Sequence, residues 1–438
     1  MGILTDPVPA APESPDSLNS PVRAAGWPQR HVVVAYTFVA CALAYTDRVN
    51  IAVAAVAMRE HFGWSQSEKG LVLSAFFVGY LLFMFVGGLV AAHFGGKRVL
   101  GWAVLAWSVF TLLTPVAAGL SMSALIAARI GMGVGEAAMF PAAYDLFARW
   151  VPQTERARAT ARMLSGIPIG TLIGLTGSGW LVAHFGWPAA FYAFGVPGLL
   201  WVVVWFRRVK NDPATDPRVS AEERALLAET SQPPDKLPYR RLLLCAPVAA
   251  IATAHFAANW SLYLLLAWLP SYFRDAHGLT IANAGLFSAA PWLSLFAASN
   301  LSAVVSDRMI GRGISVTTVR KIMLCTGLIA AAAILLLIRD VGSATAALAL
   351  MCAASAAVGC TWSGFPPAMI DVAPRSGAVV YGFSNTFATI PGIVGVAVTG
   401  WLVDVTGTYS AAFALAAAVS VLGALVFGFL FDARRIVG

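Results

Sequence analysis

Twelve times along this chain the polar residues thin out for about twenty positions and apolar ones take over. The runs cover residues 31–57, 70–92, 99–118, 124–148, 163–183, 187–206, 242–270, 281–305, 322–338, 345–365, 378–403 and 409–431. A helix needs about 20 mostly apolar residues to cross a bilayer, so each run predicts one membrane span. The first run is too long for a cleaved signal and counts as a span itself. Connectors are short except 207–241, where Ser220, Glu222 and Glu223 ahead of an Ala/Leu run predict an N-capped surface helix. Residues 1–30 are rich in Pro, Ser and Ala and are expected to form a disordered tail. The expected fold class is an all-α membrane protein: a six-helix half over 31–206, the loop 207–241, a second six-helix half over 242–431 and a short tail over 432–438.

Composition sharpens this. Only 11% of the 438 residues are charged, against about 25% in soluble domains, so too few charges exist to cover a stack of soluble domains. Mean hydropathy is +0.75. The central loop alone holds 14 of the 50 charged residues. Of the 29 Lys and Arg, twenty-three fall in the tails and in the loops on the tails' side, and four (Arg59, Lys69, Arg274, Arg339) in loops on the other side. That bias puts both termini in the cytoplasm, with an inner-membrane location expected. The net charge of +8 is then a topology signal, and a nucleic-acid partner drops out. Cys41, Cys245, Cys325, Cys352 and Cys360 sit in apolar surroundings without metal spacing and read as small core residues. No nucleophile–base pair or phosphate-cradling loop suggests an enzyme.

The two halves repeat. Gly179-Trp180-Leu181-Val182 recurs as Gly400-Trp401-Leu402-Val403, and Gly70-Leu71 as Gly285-Leu286, each pair in corresponding spans. Two parallel six-helix halves are a transporter architecture, with the ligand held between them near the midplane.

Four ionisable residues lie deep inside spans: Asp47 and Arg48 in the first, Arg129 and Glu136 in the fourth. Each costs at least about 2.5–3.5 kcal/mol at the bilayer centre, so they are expected to face inward and to pair across the two spans. Arg129 and Glu136 share a helix face but stand two turns apart, too far for a short mutual contact. Protonating Glu136 or Asp47 would free an arginine for an anionic substrate. The second half offers neutral groups instead: a stripe of His255, Asn259 and Tyr263, then Thr361-Trp362-Ser363 and Ser384-Asn385-Thr386. These could join helices or hydrogen-bond a ligand.

Tyr45-Thr46-Asp47-Arg48-Val49-Asn50 and the run from Arg129 to Glu136 followed by Phe140-Pro141 resemble the signatures of the anion:cation symporter branch of the major facilitator superfamily. His255-Phe256, Asn259-Trp260, Tyr263, Asp371-Val372-Ala373-Pro374 and the run Asn385 to Gly392 are similar to sialin-type members. The resemblance implies a carrier of small organic anions such as sugar acids, short carboxylates or sulfonates, usually moved with protons. It implies Arg48 as the substrate arginine, Tyr45, Tyr80, Thr361, Trp362 and Asn385 on the pocket wall, and Asp47, Arg129 and Glu136 in proton coupling. With the stripe residues Asn259 and Tyr263 added, these form the candidate site. One departure stands out: Ala92 and His93 occupy the loop after the second span where the superfamily carries an acid and a base, whereas the repeat partner Asp307-Arg308 keeps them. That departure bears on how the first half is latched.

The sequence therefore leads to a proton-coupled symporter of a small organic anion, acting as a monomer in a lipid bilayer, with no cofactor beyond the proton. An efflux or antiport carrier on the same fold, or a membrane anion sensor, are the alternatives.

Overall fold

The computed structural model describes residues 27–228, 243–338, 341–373 and 377–434, the side chains of Ala157 and Ala378 excepted. Most of the expected tail, loop residues 229–242, Arg339, Pro374, Arg375 and the last four residues lie outside the described residues. Among the described residues there are twelve membrane-length helices. We number them α1 (Gln29–Phe62), α2 (Gln66–Phe94), α3 (Gly96–Leu120), α4 (Met122–Trp150), α5 (Arg158–Phe185), α6 (Trp187–Arg208), α7 (Ala246–His277), α8 (Ile281–Gly311), α9 (Val316–Leu337), α10 (Ala344–Val372), α11 (Val379–Thr406) and α12 (Ser410–Leu430). Among the described residues there is no strand.

Large apolar side chains stay exposed around the bundle, including Trp102, Leu120, Trp180, Leu200 and Phe429. Trp107, Trp205, Phe191, Phe273 and Phe427 are fully buried. A solvent of lipid tails accepts that outer belt; water would not.

Helices extend past the apolar runs because a helix ends at its cap rather than where hydropathy falls. Glycines in the left-handed region terminate α1 (Gly63, φ 69°) and α7 (Gly278, φ 64°). Gln29 and Arg30, assigned to the tail from sequence, already belong to α1. In the central loop a helix covers Ala221–Ala228, with the Ser220 hydroxyl accepting from the Glu223 N–H. Glu223 in turn receives the Gln29 and Arg30 N–H groups, so the loop helix caps α1. Arg30 also bonds Glu155, holding that carboxyl below its ordinary range.

Three spans that look continuous in sequence are broken. The breaks fall after Ala137 in α4, at Ser165 between Leu164 and Gly166, and after Thr361 in α10. Each lies about four residues before Pro141, Pro168 or the Pro366-Pro367 pair, where the ring meets the i−4 carbonyl and the N–H is missing. Pro115, Pro197, Pro270, Pro291 and Pro391 sit within helices that continue.

Packing partners recur six helices later. α1 lies on α5 and α7 on α11; α2 lies on α4 and α8 on α10; α3 packs on α4 and α6, and α9 on α10 and α12. Contact between the halves runs mainly through α2 on α11 and α5 on α8.

With twelve spans, the start of α1 and the end of α12 lie at one face, here the terminal face. The opposite, distal face is pinned shut. There Arg59 and Glu60 of α1 pair with Asp275 and Arg274 of α7 at 3.5 and 3.3 Å. Asp275 also accepts from Gln66 (2.9 Å) and Tyr409 (2.8 Å), and Asp404 of α11 accepts from the Gln66 and Ser67 N–H groups (2.9 and 2.7 Å) at the start of α2. Among the described residues, the hydrogen bonds joining the halves all lie at this face, except one midway between Asn385 and Met84. The molecule is therefore sealed at its distal face, and the central charged residues lie buried beneath that seal.

Candidate functional site

The site forms where α1, α2 and α4 meet. Gly79 of α2 faces the Ile130 carbonyl, and Gly133 of α4 faces the Phe76 carbonyl, with no room for a Cβ at either place. Backbones in that close contact bring the α2 aromatics over the charges of α1 and α4.

Arg48 and Glu136 form a buried ion pair. The Arg48 guanidinium also lies over three rings, 4.6 Å from Tyr45, 4.9 Å from Phe76 and 5.0 Å from Tyr80. Glu136 stands in the last turn before the α4 break. Its second carboxylate oxygen and the Arg48 Nε have no hydrogen-bond partner among the described residues. The pair is thus held tightly but left chemically unsatisfied, with capacity for one more group.

Asp47 and Arg48 leave α1 about 100° apart, so they reach different neighbours. Asp47 is buried with neither oxygen hydrogen-bonded. Arg129 is also buried; it donates to the Met132 sulfur at 2.9 Å and lies 5.5 Å from the Phe76 ring. Among the described residues the pairing expected between the first and fourth spans is therefore present for Arg48 and Glu136 only, and Asp47 and Arg129 form no ion pair within 4 Å.

From the second half, the Tyr263 ring meets Phe77 at 4.5 Å, and the Asn385 amide approaches the Met84 sulfur at 3.0 Å. Both contacts bring α7 and α11 against the stripe of α2 that carries Tyr80. Trp362 is half-buried beside the α10 break. Asn259 and Thr361 are committed elsewhere: Asn259 donates to the Ala388 carbonyl at 3.0 Å, and the Thr361 hydroxyl to Val358 of its own helix at 2.6 Å. His255 contacts Ser384 at 3.2 Å and stacks on Phe365. Two members of the predicted polar stripe thus join α7 to its neighbours, leaving Tyr263 at the centre.

Sequence reasoning missed Phe76, Phe77 and Met84. Helical spacing from Tyr80 would have found them, since 76, 77, 80 and 84 stand at i−4, i−3, i and i+4 on one face. It also placed Lys69 in a loop, whereas Lys69 is buried in α2.

Ala92 and His93, expected in a loop, lie in the last turn of α2, which Gly95 alone separates from α3; beside that junction Asp145 of α4 accepts from the Gly96 N–H at 2.7 Å and binds Arg149. In the second half Arg320 binds Asp371 at 2.8 Å and the Ser306 hydroxyl at 3.0 Å, while Asp307 is exposed.

Two related six-helix halves around a buried charged site, closed at one face, define a secondary carrier rather than an enzyme. The chain belongs to the Major Facilitator Superfamily, whose family model matches residues 37–396. Among its relatives, Sodium-dependent phosphate transport protein 1, chloroplastic, of Arabidopsis thaliana is 36% identical, the match covering 94% of this chain and 81% of the relative. The chloroplastic ascorbate transporter of the same plant is 34% identical over 94% of this chain and 76% of its own length. In fold the chain is similar to a bacterial homologue of the lysosomal transporter Spinster in an inward-facing, unoccupied conformation (TM-score 0.72, 18% identity, covering 92% of this chain and 95% of that one). It is also similar to a D-xylose–proton symporter (TM-score 0.71, 14% identity, 93% and 99% covered).

Proposed function

We propose that this protein is an alternating-access carrier that moves a small organic anion together with protons. The observation that carries the reading is the buried Arg48–Glu136 pair inside a cage of three aromatic rings. A guanidinium whose carboxylate partner can be neutralised is a switchable anion receptor. When Glu136 takes a proton, Arg48 loses its internal counter-ion and accepts the carboxylate of the substrate. Loss of the proton restores the pair and expels the anion. Asp47, buried without a hydrogen bond, is the second acid available to the cycle, and Arg129 balances it at longer range. Tyr45, Tyr80, Tyr263, Trp362 and Asn385 supply the hydroxyl, indole and amide groups that would recognise the rest of the ligand. Relatives named for phosphate and ascorbate support an anion as cargo. The Lys/Arg bias supports an inner-membrane carrier with cytoplasmic termini, which would put the closed distal face on the outer side. One chain supplies both halves, so it works as a monomer and needs no cofactor.

Purified protein in proteoliposomes tests this with sugar acids, dicarboxylates, sulfonates, ascorbate and phosphate under an imposed pH gradient, and under a sodium gradient in parallel. Uptake of at least one anion driven by the pH gradient is expected. R48A should abolish it. E136Q should keep anion exchange across the membrane but lose pH-driven accumulation. An E136Q protein that still accumulates anion with normal pH coupling would refute the mechanism, and uptake driven by sodium alone would reassign the coupling ion.

A further inference from the structure

Lys69 lies one turn inside the distal end of α2 and is 1% exposed. Its ammonium donates to the Ser271 hydroxyl at 2.8 Å and stands 4.5 Å from the Trp268 ring. Trp268 is itself fixed by donating to the Val396 carbonyl at 3.1 Å. The nearby acids are occupied: Asp275 by Arg59, Gln66 and Tyr409, and Asp404 by the start of α2. Among the described residues no carboxylate comes within 4 Å of the ammonium. A buried cation is thus held by a neutral hydroxyl and a ring face.

Both partners of Lys69 belong to α7, in the other half. Any opening of the distal face separates them from it and wets the ammonium. Lys69 then stands on a lined route. Positions 76 and 80 each fall about 20° from position 69 around α2, on either side of it, so Lys69 shares the face whose Phe76 and Tyr80 enclose Arg48. It sits eleven residues, or about 16 Å, above Tyr80.

We propose that Lys69 is a docking cation for the transported anion on the distal route: it bolts the halves together when that face is closed and receives the anion when it is open. The inference rests on the anion-carrier reading. Its direct test does not need a known substrate. Leu73→Cys, one turn deeper on the same face, is placed in a background whose five native cysteines are replaced by alanine. Its modification is timed with a sulfonate-bearing and a trimethylammonium-bearing methanethiosulfonate. The ratio of the two rates cancels the fraction of time that the face is open. K69Q should lower the anionic-to-cationic ratio about tenfold, and K69R should restore it. For whichever panel anion the wild type carries, K69Q should also raise the KM from the distal side several-fold. An unchanged labelling ratio in K69Q overturns the proposal. A wild type that carries no anion sinks the carrier reading instead, and the two failures are told apart by which measurement gives them.

Discussion

At the scale of single residues, the functional weight falls on who partners whom. Arg48 and Glu136 form an ion pair, but Arg129 bonds a sulfur and Asp47 nothing. A sequence shows that four charges lie deep in two spans; which of them meet depends on helix rotation and on a close approach of α2 and α4 that no single position announces. Asn259 makes the same point. From spacing alone it could be a ligand group or a helix joint, and its bond to Ala388 makes it a joint. N259A is therefore expected to cost about 1 kcal/mol of stability, seen as a lower melting temperature in detergent, with little change in substrate KM. A large rise in KM without loss of stability would return Asn259 to the binding surface.

At the scale of helices, glycine and proline do the shaping. The proline-linked breaks sit within α4, α5 and α10, and the one in α4 leaves Glu136 in a final turn whose carbonyls are not all used inside the helix. The twelve spans were legible because a bilayer imposes a minimum apolar length. Their ends were not, since caps such as Gly63 and Gly278 lie beyond the apolar stretch. The breaks were marked by proline, yet Pro115 and Pro391 show that the same residue also sits in helices that run on. Gly133 gives the sharpest prediction here. G133A would push a methyl into the Phe76 carbonyl and part α2 from α4, lifting Phe76 and Tyr80 off the guanidinium. A loss of about 1–3 kcal/mol in stability is expected, with transport falling further than folded protein when both are measured on one preparation.

At the scale of the molecule, the sealed distal face sets the state. Its pairs join residues far apart in the chain, as with Arg59 and Asp275, so a linear reading could not say which side is shut. Asp275 is the hub, accepting from Arg59, Gln66 and Tyr409. Each such bond to a charged group is worth about 1.5–3 kcal/mol, so D275N should shift the balance toward distal opening by more than tenfold. Spin labels at His61 and Thr408, exposed on opposite halves of that rim, would report it as a longer distance population. An unchanged distance distribution would show that Asp404 and the rim pairs suffice.

The caged ion pair, Asp47 and Arg129 all come from the first half, although the helix packing is repeated in the second. The two halves of this duplicated body therefore do not carry equal burdens. A change in α7, α10 or α11 can reshape the wall that the second half presents without touching the Arg48–Glu136 pair. Substitutions accumulating in one half of such a body leave the charged cluster of the other intact.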